Sequence, residues 1–478
     1  MGSFMSDFEL TCDIVIIGAG SAGIEAFKVA TKAGAHCILV ESGPLGTSAK
    51  RTGDTPLSYL MAAGRNCHGI MDLDKYGVNV SFDFAFDTDH VLNTLRAVRS
   101  KDTNEILSFI YSIPESNRLI GRASFIDEHT LMVNESHTVH FKSAIIATGS
   151  VPVVPYELSQ YQDTGGIYTT HDFFDMDHLP NSIAIFGSNR EGLQLGQALS
   201  YLGVKVVVFG NQNLWELTDE SVITATLEAF NARFDLVLNS YTTAIERYER
   251  GFGIYYLQSN YENHLEVESI LTCSIRYPKL DGLNLREIGM RLTRQGCIEV
   301  NELTMQTSID HIFAAGDVTE LNMTTAKARQ QGHVAGMNAI TYPELKDFAP
   351  AFKINILATD PEVAMVGLTY EQVKQRAKDG QSFVSVEVRM NDGIFRVTQR
   401  QGGLLRMYVD ESSHLILGCE LCMHDAGHIA HLLAMSMSQG LTVEQVSALP
   451  YFTPSYESVI KSACDQAIKN IARKAVGL

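Results

Sequence analysis

Short runs that are apolar on both faces alternate along this chain with amphipathic stretches, and the two kinds of segment have different periods. Cys12-Asp-Ile-Val-Ile-Ile-Gly18 has the continuous apolar character of a strand buried inside a parallel sheet. A glycine-rich turn follows, a helix is predicted to open near Ser21, and Cys37-Ile-Leu-Val-Glu41 forms the next buried strand. The same strand, turn, helix, strand plan repeats from Ile183 to Gly210. Each unit can build half of a parallel sheet, so the fold class is α/β. Residues 351 to 478 change character. There, strand-like segments at Phe383 to Val388, Leu404 to Val409 and Leu415 to Glu420 precede a helix from Ala426 to about Met437, which reads as a separate α+β domain.

The turn of the first unit reads Gly18-Ala-Gly20-Ser21-Ala22-Gly23, after a buried strand and at the opening of a helix. In that context each glycine has a physical task. Gly18 permits the tight turn, Gly20 lets a pyrophosphate approach the positive helix N-terminus, and Gly23 lets helix and strand pack closely. Glu41 ends the next strand, where a carboxylate accepts hydrogen bonds from the hydroxyls of an adenosine ribose.

Charge and composition narrow the partners. The 478 residues carry 37 Lys plus Arg against 55 Asp plus Glu, a formal net charge of −18 that repels nucleic acid and anionic lipid. The apolar runs fall short of the roughly 20 residues needed to span a bilayer, so no membrane is expected. Cysteines at 12, 37, 67, 273, 297, 419, 422 and 464 are scattered without a disulfide framework and are expected to be reduced. The opening Met-Gly-Ser-Phe-Met-Ser has no basic region followed by an apolar stretch, which sets the expectation of a cytoplasmic protein. Gly2 with Ser6 matches a myristoylation pattern that chance or cloning also produces, and Met5 is an alternative start.

Two later segments, Ala147-Thr148-Gly149 and Ile312-Phe-Ala-Ala-Gly316-Asp317, follow apolar runs and look like motifs of flavoproteins that bind two dinucleotides. On these motifs and the glycine turns, the whole chain resembles the flavoprotein disulfide reductases: dihydrolipoamide dehydrogenase, glutathione reductase, mercuric reductase and the soluble transhydrogenase. The resemblance implies an FAD-binding domain over 1–155 and 278–348. An NAD(P)-binding-like domain over 156–277 is inserted in it, and a dimerisation domain over 349–478 makes a homodimer. Thr359-Asp-Pro-Glu362 through Val366-Gly-Leu-Thr369 matches the opening of the family's dimer domain. The implied FAD contacts are Gly18, Gly20, Ser21, Ala22, Gly23, Glu41, Gly46, Thr47, Ala123, Thr148, Gly149, Asp317, Thr324 and Thr325. Among them Asp317 would bind the ribityl chain, and Met323-Thr-Thr-Ala-Lys-Ala328 would pass beneath the flavin ring.

Against that family the chain departs where chemistry is expected. Disulfide-reducing members carry Gly-Thr-Cys-x-Asn-x-Gly-Cys-x-Pro-Ser-Lys beside the flavin. With Gly46, Thr47 and Pro56 as anchors, Ser48 and Gly53 stand where the two cysteines would be, and neither can form a disulfide or a thiolate. The family's lysine becomes Ser58 and its glutamate partner Gln194. In the C-terminal His-Pro-x-x-x-Glu element, Pro454 aligns Thr453 with the histidine and Ser458 with the glutamate; shifting the register puts Phe452 and Glu457 there instead. Neither alignment restores a base titrating near neutral pH. No residue is therefore assigned a catalytic role.

The second turn, Gly187-Ser-Asn189-Arg-Glu-Gly192, keeps its outer glycines but places Asn189 where a side chain obstructs a pyrophosphate. Its strand ends Val208-Phe209-Gly210 without a ribose carboxylate, and Ile275 replaces a glycine of the family's Ala-x-Gly-Arg-x-Pro element. FAD is thus expected, while these departures count against NAD(P)H. Arg190 stands where the family often has a gating aromatic residue.

Three further features have competing readings. Cys419 and Cys422, with His424, His428 and His431 nearby, suggest a metal or redox pair, but alternation along a strand turns the two thiols to opposite faces and favours packing, so no metal is expected. Cys67 beside His68 could favour a thiolate but lies far along the helix from Ser58, which favours an ordinary thiol. Lys50 and Arg51 either bring positive charge to the flavin or are solvated. Two functions follow: a divergent flavin-dependent oxidoreductase of unknown substrate, or a catalytically inactive FAD-binding homologue with a structural role or a ligand in the former nucleotide cleft.

Overall fold

The computed structural model describes residues 8–78, 87–211, 214–273, 276–348 and 353–475. Ile275 and the N-terminal Gly2, Met5 and Ser6 lie outside the described residues. The chain divides into two compact units: Met1–Pro56, Asn93–Val153 and Ile275–Pro350 form one, and Leu57–Leu92, Val154–Ser274 and Ala351–Leu478 the other.

The first unit is built on a parallel sheet. Strands β1 (Phe8–Ile17), β2 (Cys37–Glu41), β3 (Arg118–Ile120), β6 (His137–Ile146) and β17 (Ile312–Ala314) run in the order β3-β2-β1-β6-β17. An antiparallel hairpin of β4 (Ala123–Asp127) and β5 (Thr130–Val133) pairs with the start of β6. Alternate residues of β1 and β2 enter different cores: Ile14, Ile16, Cys37 and Leu39 on one face, Val15, Ile17, Ile38 and Val40 on the other. This two-sided burial explains why the strands read as continuous apolar runs. On one face lie α1 (Ser21–Lys32) and α8 (Thr325–Thr341), so close that a Cβ on Gly332 would overlap the carbonyl of Ala22. Helices α2 (Ser48–Arg51), α3 (Asp54–Met71) and α4 (Thr88–Ser112) precede β3, and β7 (Ser150–Pro152) pairs with β16 (Arg276–Pro278).

The second unit repeats the parallel plan. After α5 (Tyr156–Ser159), strands β8 (Ile167–Thr169), β9 (Ser182–Phe186), β10 (Lys205–Gly210), β11 (Asp235–Leu238) and β15 (Ser269–Thr272) are ordered β11-β10-β9-β15-β8, with α6 (Arg190–Tyr201) and α7 (Glu220–Asn231) between them in the chain. A meander of β12 (Ser240–Tyr248), β13 (Gly251–Gln258) and β14 (Tyr261–Val267) covers this sheet through Phe252, Ile254 and Val267, which pack with Ala184, Phe209 and Val237.

The C-terminal part of the same unit is an antiparallel sheet. Its order is β18-β19-β22-β21-β20, from β18 (Ile354–Leu357), β19 (Glu362–Gly367), β20 (Phe383–Arg389), β21 (Leu404–Asp410) and β22 (Ile416–Met423). Its core includes Leu405 and Met407 of β21, Leu421 of β22, Ile429 and Leu433 of α11 (Ala426–Ser438), and Ile460 and Ala463 of α13 (Ser458–Ala475). The shorter α9 (Tyr370–Lys378), α10 (Ile394–Val397) and α12 (Val443–Ser447) complete it. The last strand extends past Glu420, where the sequence pattern stops it, because Leu421, Cys422 and Met423 keep pairing with β19. Cys419 and Cys422 are therefore internal to the sheet and fully buried.

Candidate functional site

The two glycine turns have the same hydrogen-bond frame. Gly18 N–H donates to Val40 O at 2.7 Å and Ala147 N–H to Ile17 O at 2.8 Å; in the second turn Gly187 N–H donates to Phe209 O at 2.8 Å and Cys273 N–H to Phe186 O at 2.8 Å. This pairing equates Glu41 with Gly210, Ala147 with Cys273 and Ala19 with Ser188. Gly18 and Gly187 have φ of 106° and 133°, where a side chain is strained. A Cβ on Gly23 would overlap Gly18 O, and one on Gly192 would overlap Gly187 O. The glycines retained in both turns are those the backbone itself requires.

What fills the space in front of each turn differs. At the first, a Cβ on Gly20 would have only Ala147 O near it, at 3.8 Å, and no side chain caps α1. Ser21, Ala22 and Gly23 open that helix, so their N–H groups form the positive end of its dipole. Glu41 accepts from Ala19 N–H at 2.7 Å through Oε2 and from Gly43 N–H at 2.8 Å through Oε1. A carboxylate offers about four acceptor positions, so capacity remains for ribose hydroxyls. Gly121 N–H donates to Glu41 O at 2.8 Å, which brings Ala123, at the start of β4, to the same edge.

At the second turn the protein fills the space itself. Asn189 Oδ1 accepts from Gly192 N–H at 3.0 Å and caps α6, while Asn189 Nδ2 donates to Cys273 O at 2.5 Å. A side chain at Gly210 would overlap Ser188 Oγ, so the position that holds Glu41 in the first unit has no room for a carboxylate. Arg190, next in the chain, lies 3.4 Å from Glu191.

The other residues expected at the first site line the same sheet edge. Asp317 follows β17; its Oδ2 accepts from Ser150 Oγ at 2.5 Å and its Oδ1 from Met323 N–H at 3.3 Å. Arg276 donates through Nε to Ser150 Oγ at 2.9 Å. Thr324 caps α8 by accepting from Lys327 N–H, and Thr325 Oγ1 donates to Asp54 Oδ2 at 2.5 Å. Thr148 Oγ1 donates to Lys279 O at 2.7 Å, and Gly149 turns at φ 74°. Gly46 turns at φ 107° against Thr103, and the buried Thr47 accepts from Lys50 N–H at 3.3 Å. The glycine cradle, the uncapped helix and the carboxylate with spare acceptors fit the adenosine pyrophosphate half of FAD.

The segment between these anchors needs one correction. Counted back from Pro56, the disulfide-reductase pattern puts its glycine on Gly53 and its second cysteine on Asp54, because this chain has one residue more than the pattern between Thr47 and Pro56. The surplus residue is absorbed where α2 ends at Arg51, Thr52 leaves helical geometry at φ −138° and α3 begins at Asp54. Ser48 is exposed. Lys50 pairs with Asp102 at 2.8 Å, and that ion pair with the Thr55 hydrogen bond holds the Asp102 carboxyl below its usual range. In the other unit, Ser58 is exposed on α3, Gln194 is buried in α6, Thr453 is exposed, and Ser458 Oγ donates to Ser455 O at 2.6 Å.

The three cysteines singled out in the sequence have thiols raised by their surroundings. Burial raises Cys67, pushes Cys422 up to about 12 and holds Cys419 well above the ordinary thiol range. Cys419 packs with Leu421 and Met423 in the core, whereas His424 lies 3.2 Å from Asp360. Among the described residues no group of three or more His, Cys, Asp or Glu could hold a metal ion, and no helix is long and apolar enough to cross a membrane.

Two glycine turns of one frame, each on its own parallel sheet and followed by an antiparallel domain, define a two-dinucleotide oxidoreductase fold. Residues 12–332 match the family model for pyridine nucleotide-disulphide oxidoreductases, and residues 355–464 match that family's dimerisation domain. The chain belongs to this family, whose members bind FAD and use NAD(P)H as the usual partner cofactor. It is 27% identical to a mercuric reductase of Staphylococcus aureus over 92% of this chain and 80% of that protein. It is 24% identical to a dihydrolipoyl dehydrogenase of Geobacillus stearothermophilus over 97% of this chain and 98% of the other. Among solved structures, the HOCl-induced flavoprotein disulfide reductase of Escherichia coli superposes with a TM-score of 0.80 at 21% identity, covering 95% of this chain and 99% of that one.

Proposed function

We propose that this protein is an FAD-binding flavoprotein that works without a dithiol relay and without the family's usual NAD(P)H entry. The opposite filling of two turns of the same frame carries this reading: the first leaves its helix N-terminus and carboxylate open, while Asn189 and Ser188 occupy the second.

Gly18, Gly20, Ser21, Ala22 and Gly23 would hold the FAD pyrophosphate and Glu41 the ribose hydroxyls, with Ala123, Gly46, Thr47, Thr148 and Gly149 as the surrounding wall. Asp317 would hold the ribityl chain, and Thr324 and Thr325 at the start of α8 would line the flavin's part of the site. When bound, FAD supplies two-electron chemistry that no side chain can perform. Ser48 and Asp54 cannot form a disulfide, and Cys67 lies elsewhere on α3 with its thiol pushed up by burial. Thr453 and Ser458 provide no proton acceptor near neutral pH. The resulting activity is oxidation or reduction directly at the flavin, with a donor other than a pyridine nucleotide, in a homodimer made through the dimerisation domain.

A second reading, FAD kept as a structural ligand, draws support from the same closed turn, because a flavin without a donor still stabilises the fold by mass action. Anaerobic reductive titration tests the relay. Dithionite uptake that stops at the flavin's own electron pair is expected, and uptake of a second pair per FAD would mean that a dithiol participates.

A further inference from the structure

Asp54 sits where three observations converge. Counted from Pro56, it takes the place of the second cysteine, with Gly53 matching the glycine before it. Its Oδ2 accepts a hydrogen bond of 2.5 Å from Thr325 Oγ1, at the first residue of α8. That end of α8 is tied through Met323 N–H to Asp317, and Asp317 to Ser150, so Asp54 belongs to the wall at the carboxyl edge of the first sheet. α1 packs against α8 there, and a Cβ on Gly316 would meet Ala22 Cβ at 3.3 Å, which places the glycine turn beside the same wall.

We propose that Asp54 puts a carboxylate beside the flavin in place of the second thiol, a group that cannot take part in disulfide exchange. A thiol at this position can be oxidised and a carboxylate cannot, so the substitution removes the relay and leaves electrostatic control of flavin reduction. Thr325 is the positioning residue that holds the carboxylate. The charge opposes the added electron density of the reduced flavin and keeps its midpoint potential low. This inference rests on the flavoprotein reading above.

The test is the midpoint potential of bound FAD at one pH, measured in the full-length protein against a reference dye during xanthine oxidase reduction, for wild type, Asp54→Asn, Asp54→Ser and Asp13→Asn. Asp13 pairs with Lys142 at the exposed side of β1 and controls for loss of a remote charge. Both Asp54 variants are expected to retain FAD and to shift the potential positive by at least a tenfold change in the reduction equilibrium, about 30 mV for a two-electron couple, with Asp13→Asn unmoved. An Asp54→Asn protein with wild-type FAD content and an unchanged potential overturns the proposal, as does an equal shift in Asp13→Asn. Loss of FAD from both Asp54 variants also overturns it, leaving Asp54 a structural residue. A wild-type protein that retains no FAD overturns the flavoprotein reading and this inference together.

Discussion

The glycine turn at Gly18–Gly23 and the one at Gly187–Gly192 are two copies of one backbone solution with opposite fates. Both keep the glycine with positive φ and the glycine whose Cβ would strike the turn's carbonyl, because without them the helix cannot pack on its strand. They diverge only where a ligand, and not the backbone, sets the requirement. Gly20 against Asn189 and Glu41 against Gly210 are the changes that decide between an open anion site and a satisfied one. The positions that differ are those facing the space in front of each turn, and the positions shared are those the backbone needs.

The sharpest way to break this comparison is at the shared frame. Gly23→Ala and Gly192→Ala each force a Cβ into backbone, so both are expected to lose about 1–3 kcal/mol or more in thermal unfolding. Equal stability of either variant would show that the frame is not common to both turns. Next in size is ligand removal. FAD at a hundredfold excess over its Kd stabilises by about 2.7 kcal/mol, so the stripped protein should melt well below the loaded one while NADH leaves the melting temperature of the loaded protein unchanged. A rise with NADH would mean that the second turn still binds it.

Smaller effects separate the turns residue by residue. Glu41→Ala removes the acceptor of two backbone N–H groups, an expected cost of about 1–3 kcal/mol, and should weaken FAD binding at least tenfold by fluorescence titration. Unchanged affinity would remove Glu41 from the site. Asn189→Gly should cost about 1–2 kcal/mol in stability, a few tenths for the lost cap and about 1 for the lost hydrogen bond to Cys273 O. Combined with Ser188→Ala it should raise NADH affinity, and no gain would show that the block lies elsewhere.

Much of this was legible in the chain itself. The two strand–turn–helix units, the C-terminal strands and the helix from Ala426 appear where the apolar periods put them, because buried parallel strands and amphipathic helices write themselves into hydrophobic spacing. The meander at Ser240–Val267 was not anticipated: its exposed edges carry charged and aromatic residues that blur a period of two. At the site, Asn189 was readable as an obstruction, yet its bridge to Cys273 O was not, since that contact spans residues 84 apart in the chain. Asp54 was hidden by a surplus residue at the break between α2 and α3. Only counting from Pro56 as well as from Gly46 reveals it.

The most direct test of the asymmetry is anaerobic stopped-flow mixing of the yellow protein with NADH and then NADPH, following flavin absorbance. No bleaching with either nucleotide, together with full bleaching by dithionite, is the result expected of an open first turn and a closed second one. Rapid bleaching by NADH or NADPH would contradict the account, because hydride would then be reaching the flavin through a turn that Asn189 and Ser188 are held to close.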